Sequence, residues 1–219
     1  MTSVCVYCAS SSGLPARYLQ LAADVGTGIA RRGWQLVSGG GHVSMMGAVA
    51  HAARAGGGRT LGVIPRALVD LEVADTEADE LLVTDTMRER KALMDAHADA
   101  FLALPGGIGT CEELFEAWTS RALGMHVKPV VVLDPDGHYR GLLDWLDGLR
   151  ERGFLSAAGL ATLLVVSDVD AALDACVARA PAGMNLPRSA HDDRPDLPRR
   201  DGAGGCGGVP ARVPGLRAR

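Results

Sequence analysis

Ala100-Phe-Leu-Ala-Leu104-Pro-Gly-Gly-Ile-Gly-Thr-Cys-Glu-Glu113 carries an apolar run through three glycines into residues that suit the start of a helix. A continuous apolar strand, a glycine turn and a helix are the parts of a βα unit in a parallel sheet. Glycines let backbone N–H groups come close to an anion, and the following helix points its positive dipole end at the same place. The turn therefore reads as a phosphate cradle, although Glu112 and Glu113 stand in what reads as the first turn of its helix.

The same alternation continues on both sides. Residues 4–9, 34–38, 60–64, 100–104, 129–133 and 163–166 read as strands. Residues 15–32, 44–55, 86–98, 110–123, 139–152 and 169–178 read as helices, with Gly124 as a stop after the fourth. Alternating units of this kind predict an α/β fold, a Rossmann-like doubly wound parallel sheet in a single domain. Ligands in such sheets bind at the carboxyl ends of the strands, here the loops after Ala9, Ser38, Ile64 and Leu104.

Length agrees with one domain: 219 residues, 47% hydrophobic and 22% charged. Residues 181–219 hold seven Gly, six Pro and seven Arg against four Asp, and read as a disordered tail behind a folded unit of 1–180. The net charge of −4 with no basic stripe argues against a nucleic-acid partner. The start of the chain lacks a basic signal-peptide region, and no apolar run nears the roughly 18 residues that span a bilayer. A cytoplasmic protein without a membrane partner is expected.

Cys5-x-x-Cys8 invites a metal or redox reading. It lacks a second Cys/His pair and lies in an apolar strand, so structural cysteines and no metal are expected. Lys91 and Lys128, the only lysines against 20 arginines, have no pyridoxal-type context, and no cofactor is implied.

Three segments carry candidate chemistry. Ser38-Gly-Gly-Gly-His-Val-Ser-Met-Met-Gly47 joins a strand to a helix. It is out of register with a dinucleotide fingerprint and has no acidic residue about 20 positions on. A site for a single phosphate or nucleotide and a flexible turn both stay open for it, and His42 reads as an incidental loop histidine. In the second segment Thr86-x-x-Glu89 is a capping box. Met87, Arg90, Lys91 and Met94 then share one helical face, where the two cations must be paired or meet a ligand. In the third, Thr110-x-x-Glu113 also reads as a capping box, with Thr110 as N-cap. Glu113 is thus either a cap or a functional carboxylate. Cys111 at a helix start is a candidate for a lowered thiol pKa, without an identifiable partner base.

Together, Ser38-Gly-Gly-Gly-His-Val-Ser-Met-Met-Gly47, Met87-Arg-Glu-Arg-Lys91 and Pro105-Gly-Gly-Ile-Gly-Thr-Cys-Glu-Glu113 resemble the LOG family. Its members are cytokinin riboside 5′-monophosphate phosphoribohydrolases, often mislabelled lysine decarboxylases. The resemblance covers residues 3–178. Cys5-Val-Tyr-Cys-Ala-Ser-Ser-Ser-Gly13 looks like the family's first strand and loop, with Ala9 for the usual Gly, and Arg88 stands where a His is common.

The resemblance implies hydrolysis of the N-glycosidic bond of an N6-modified AMP to free base and ribose 5-phosphate, by a homodimer with sites near its interface. It makes Arg90 and Glu113 catalytic. Gly106, Gly107, Gly109 and Thr110 become phosphate ligands, with Gly39, Gly40 and Gly41 beside them. Glu72, Met87 and Lys91 become further substrate contacts. A general AMP hydrolase and a non-catalytic Rossmann-like carrier remain as alternatives.

Overall fold

The computed structural model describes residues 1–69 and 73–178. The tail expected at 181–219 lies outside the described residues. The strands are β1 (Ser3–Tyr7), β2 (Gln35–Ser38), β3 (Arg59–Pro65), β4 (Glu80–Thr84), β5 (Ala100–Ala103), β6 (Val130–Leu133) and β7 (Leu163–Val166). All pair in parallel in the order β4-β3-β2-β1-β5-β6-β7. The order reverses between β1 and β5, and the crevice for a ligand opens at the carboxyl ends of those two strands.

The expected helices appear as α1 (Ala16–Arg31), α2 (Ser44–Ala55), α4 (Met87–Ala96), α5 (Ile108–Ala122), α6 (Arg140–Glu151) and α8 (Val169–Ala175). Sequence reading missed the short helices α3 (Arg66–Val69) and α7 (Ala157–Leu160) and the edge strand β4. That strand has only Leu81, Leu82 and Val83 as an apolar run, inside an acidic stretch, so its periodicity is too short to register.

Alternate residues of each strand feed two cores. Val4 and Val6 pack with Val25 and Ile29 of α1, Val49 of α2 and Leu173 of α8. Cys5 and Tyr7 pack on the opposite face with Met94 of α4, Leu114 and Trp118 of α5, and Leu146 of α6. Cys8 belongs to the first core and Cys5 to the second, so the two thiols lie on opposite sides of the sheet, buried and free. At Gly26 the first layer closes backbone to backbone: a β-carbon there would stand 2.2 Å from the Val49 carbonyl oxygen. Among the described residues no helix is long and apolar enough to cross a membrane.

Candidate active site

The capping box of α4 forms as its sequence predicts. Thr86 Oγ1 accepts the Glu89 N–H at 3.2 Å, and Glu89 Oε2 accepts the Thr86 N–H at 3.2 Å. This fixes the register of α4 and turns Arg90 inward. Arg90 Nε donates to the Val63 carbonyl at 3.1 Å, and Nη1 donates to Glu113 Oε1 at 2.8 Å. The two side chains are only 9% and 12% exposed, so the pair sits largely outside water. Arg90 thus joins β3, α4 and α5 directly beneath the loop that follows β2.

That loop explains its own glycines. A β-carbon at Gly39 would meet the Arg90 guanidinium. Gly40 takes φ +71°, and its Cα face lies against Ile64 and the Val63 backbone. Its carbonyl accepts the Asp75 N–H at 2.8 Å, while Gly41 bridges Ala74. Gly39, Gly40 and Gly41 are buried, and the close approaches seen here are made by the protein's own chain.

The third segment departs from its sequence reading. Helix α5 begins at Ile108 with Gly107 as N-cap, and no side chain caps it. Thr110 is therefore inside the first turn, and Glu113 is in the second. The proposed Thr110–Glu113 capping box does not form, because the helix starts earlier than the Thr-x-x-Glu pattern implied. No acid occupies the first turn, so the helix dipole, which acts within about one turn, does little to hold Glu113 ionised. Burial pushes the Glu113 carboxyl above its usual range, and the Arg90 charge and hydrogen bond oppose that rise.

The amides at the start of α5 divide into two sets. Cys111 N–H donates to the Gly107 carbonyl at 3.0 Å, the first bond of the helix. The N–H groups of Gly107, Ile108, Gly109 and Thr110 precede that bond and have no intrahelical acceptor. Gly107 and Gly109 have open space where a β-carbon would stand. Gly106 differs: its N–H lies 3.3 Å from His138 Nε2, on the protein side of the turn. Its lack of a side chain makes room for Thr110, whose Oγ1 would be 2.1 Å from a β-carbon.

The remaining sequence candidates fall as follows. Lys91 Nζ is ion-paired with Glu112 and Glu116, so it is engaged on the surface of α5 and not turned toward the glycine turn. Those two carboxylates raise its pKa by hydrogen bonding. Met87 is half exposed on the first turn of α4. Glu72 lies outside the described residues. Burial raises the Cys111 thiol pKa, against the lowered value expected at a helix start. It sits past the first turn, where desolvation outweighs the dipole. His42 is exposed, with Nδ1 at 3.1 Å from the Ala74 carbonyl. Among the described residues no group of three or more His, Cys, Asp and Glu side chains could hold a metal ion.

Sequence reading overlooked the loop between β6 and α6. His138 Nε2 is also 2.9 Å from the Gly106 carbonyl oxygen, and Tyr139 Oη donates to the Leu104 carbonyl at 2.7 Å. The available signal was position: this loop also leaves the carboxyl end of a strand, next to β5.

A groove of about 900 Å³ runs between α4 and α5, with Glu113, Arg88, Lys91, Glu112 and Glu116 along it and Tyr7 and Phe101 at its floor. Glu113 of the carboxylate–guanidinium pair thus has access from outside, while the free amides lie one turn earlier, at the start of α5. An anion at the amides and a developing cation near Glu113 would meet complementary charge.

The family model described as "Possible lysine decarboxylase" matches residues 46–176. A cytokinin riboside 5′-monophosphate phosphoribohydrolase of Mycobacterium tuberculosis is 58% identical over 174 residues, 80% of this chain and 92% of the relative. An Arabidopsis thaliana protein of the same name is 43% identical over 153 residues, 70% of this chain and 71% of its own. Among solved structures, the molybdenum cofactor carrier protein of Chlamydomonas reinhardtii superposes with a TM-score of 0.61 at 25% identity, covering 80% of this chain and 94% of that one. Family model, relatives and glycine-turn motif agree, and the chain belongs to the LOG family, a family of phosphoribohydrolase enzymes.

Proposed function

We propose that this protein hydrolyses the N-glycosidic bond of an N6-modified AMP, releasing the free base and ribose 5-phosphate. The observation that carries the proposal is the buried Arg90–Glu113 pair beside a glycine turn with unspent amides. Cleavage of this bond develops oxocarbenium-like positive charge at the ribose C1′. Glu113, ionised, stabilises that charge and takes a proton from the attacking water. Burial raises its pKa, and the charge and hydrogen bond of the Arg90 guanidinium oppose that rise. The 5′-phosphate sits on the N–H groups of Gly107, Ile108, Gly109 and Thr110 at the head of α5. A carboxylate and a phosphate share one site because the helix terminus and Arg90 offset their charges.

The names of the relatives support the N6-modified substrate, and the working protein is proposed to be a homodimer that needs no cofactor. One assay separates the readings: incubation with AMP and with N6-isopentenyl-AMP, followed by measurement of free base and ribose 5-phosphate. Preferential release of the N6-substituted base is the expected result. Turnover of AMP alone would select a general nucleoside monophosphate hydrolase, and release of neither base would leave a binding protein.

A further inference from the structure

The turn Leu104–Gly107 has nearly all its backbone polar groups committed before the free amides begin. Leu104 N–H donates to the Tyr7 carbonyl at 2.9 Å, and the Leu104 carbonyl accepts from Tyr139 Oη at 2.7 Å. Pro105 has no N–H. The Gly106 carbonyl oxygen is 2.9 Å from His138 Nε2, shorter than the 3.3 Å from that nitrogen to Gly106 N. In the tautomer with the proton on Nε2, the shorter contact is a hydrogen bond donated to the Gly106 carbonyl.

In a planar trans peptide the carbonyl of one residue and the N–H of the next point in opposite directions. A hydrogen bond that draws the Gly106 carbonyl toward the β6–α6 loop therefore turns the Gly107 N–H away from it, to the open side of the turn. Gly106–Gly107 is also the peptide most free to rotate, since neither residue has a β-carbon to restrict it. If it flipped, a carbonyl oxygen would face the anion in place of a donor. Nothing else among the described hydrogen bonds holds the Gly106 carbonyl.

His138 is built to do this. Its ring stands edge-on to Tyr139, with centroids 4.7 Å apart, and edge-on to Tyr18 of α1 at 6.3 Å. Tyr139 N–H is in turn bound by Asp134 Oδ2 at 3.0 Å, and Asp134 N–H by the Val166 carbonyl at 2.8 Å. The latch is anchored on β6 and β7.

We propose that His138 is a positioning residue that fixes the Gly106–Gly107 peptide so that the Gly107 N–H faces the phosphate of the substrate. This rests on the phosphate site proposed above, and it assigns His138 to recognition of the phosphate end and not to bond cleavage.

Calorimetric titration of the full chain with AMP and with adenosine tests it without relying on turnover. His138→Ala should weaken AMP binding about tenfold, the value of one amide-to-anion hydrogen bond, and leave adenosine binding unchanged. His138→Gln, whose amide reaches the same carbonyl, should restore AMP binding to within about threefold of the wild type. If the alanine variant does not fold, His138→Met fills the space without a donor and carries the comparison. Equal loss of AMP and adenosine affinity would mark a merely structural role and overturn the proposal. So would unchanged AMP affinity, failure of glutamine to restore it, or a wild-type protein that binds AMP no better than adenosine. A wild type that prefers AMP yet hydrolyses neither AMP nor N6-isopentenyl-AMP would sink the enzymatic reading and leave this test intact.

Discussion

Gly39 and Arg90 occupy each other's space: a β-carbon at residue 39 would stand 2.0 Å from Arg90 Nη2 and 3.1 Å from its Cζ. The Nη2 end of the guanidinium abuts bare backbone, and this sets the position from which it reaches Glu113. Gly39→Ala should therefore push Arg90 off its carboxylate and lower kcat/KM by about 10²-fold, as small displacements of catalytic groups do. A steady-state assay with wild-type activity would show that Arg90 tolerates displacement.

Glu113→Gln keeps the shape of the side chain and removes its charge. Turnover should fall by about 10²–10³-fold, the scale of losing one electrostatic stabiliser of the transition state. Nucleotide affinity should stay within about threefold, because the phosphate amides are untouched. Measured turnover near the wild-type rate would remove Glu113 from the chemistry. The helix geometry already removes it from capping.

Arg90→Ala leaves the Glu113 carboxylate buried without its counter-charge. Loss of one partner from such a pair costs about 3 kcal/mol, so denaturant unfolding should show a clear drop in stability as well as lost activity. Nucleotide binding should weaken too, and affinity equal to the wild type would contradict the charge-offsetting role.

The acid limb of the pH–rate profile should lie above 4.5, the ordinary Glu value, because burial raises the Glu113 pKa even with Arg90 beside it. Activity needs the ionised form and is lost as pH falls through that raised value. Stability runs the other way. Between the unfolded and folded pKa values the native state holds more protons, so this group's contribution is full below the unfolded pKa and fades as pH rises through the folded one. Arg90→Ala should move the acid limb higher still, and a limb at or below 4.5 would mean that Glu113 is not the titrating group.

Most of this frame was legible because parallel strands buried on both faces read as continuous apolar runs, and α2 was bounded correctly at Ser44 and Ala55. Local patterns misled where they compete. Thr110-x-x-Glu113 has the spacing of a helix cap, yet two glycines and Ile108 before it already start the helix. The family resemblance put Arg90 and Glu113 in one site, but spacing alone could not pair them: they are 23 residues apart on separate helices, and only the packing of α4 against α5 brings them together. The sequence required a partner or a ligand for Arg90 and Lys91. Arg90 found Glu113, Lys91 found Glu112 and Glu116, all on α5, and neither choice is written in spacing.

The separation of Cys5 and Cys8 by the sheet gives the molecule built-in reporters. Both thiols and that of Cys176 are buried, and burial raises the pKa of each. A thiol-specific label in solution meets them only when the surrounding layer opens. Cys5 answers for the layer of α4, α5 and α6, and Cys8 for that of α1, α2 and α8. Their labelling rates, followed separately by peptide mass, would time the opening of the two halves of the protein.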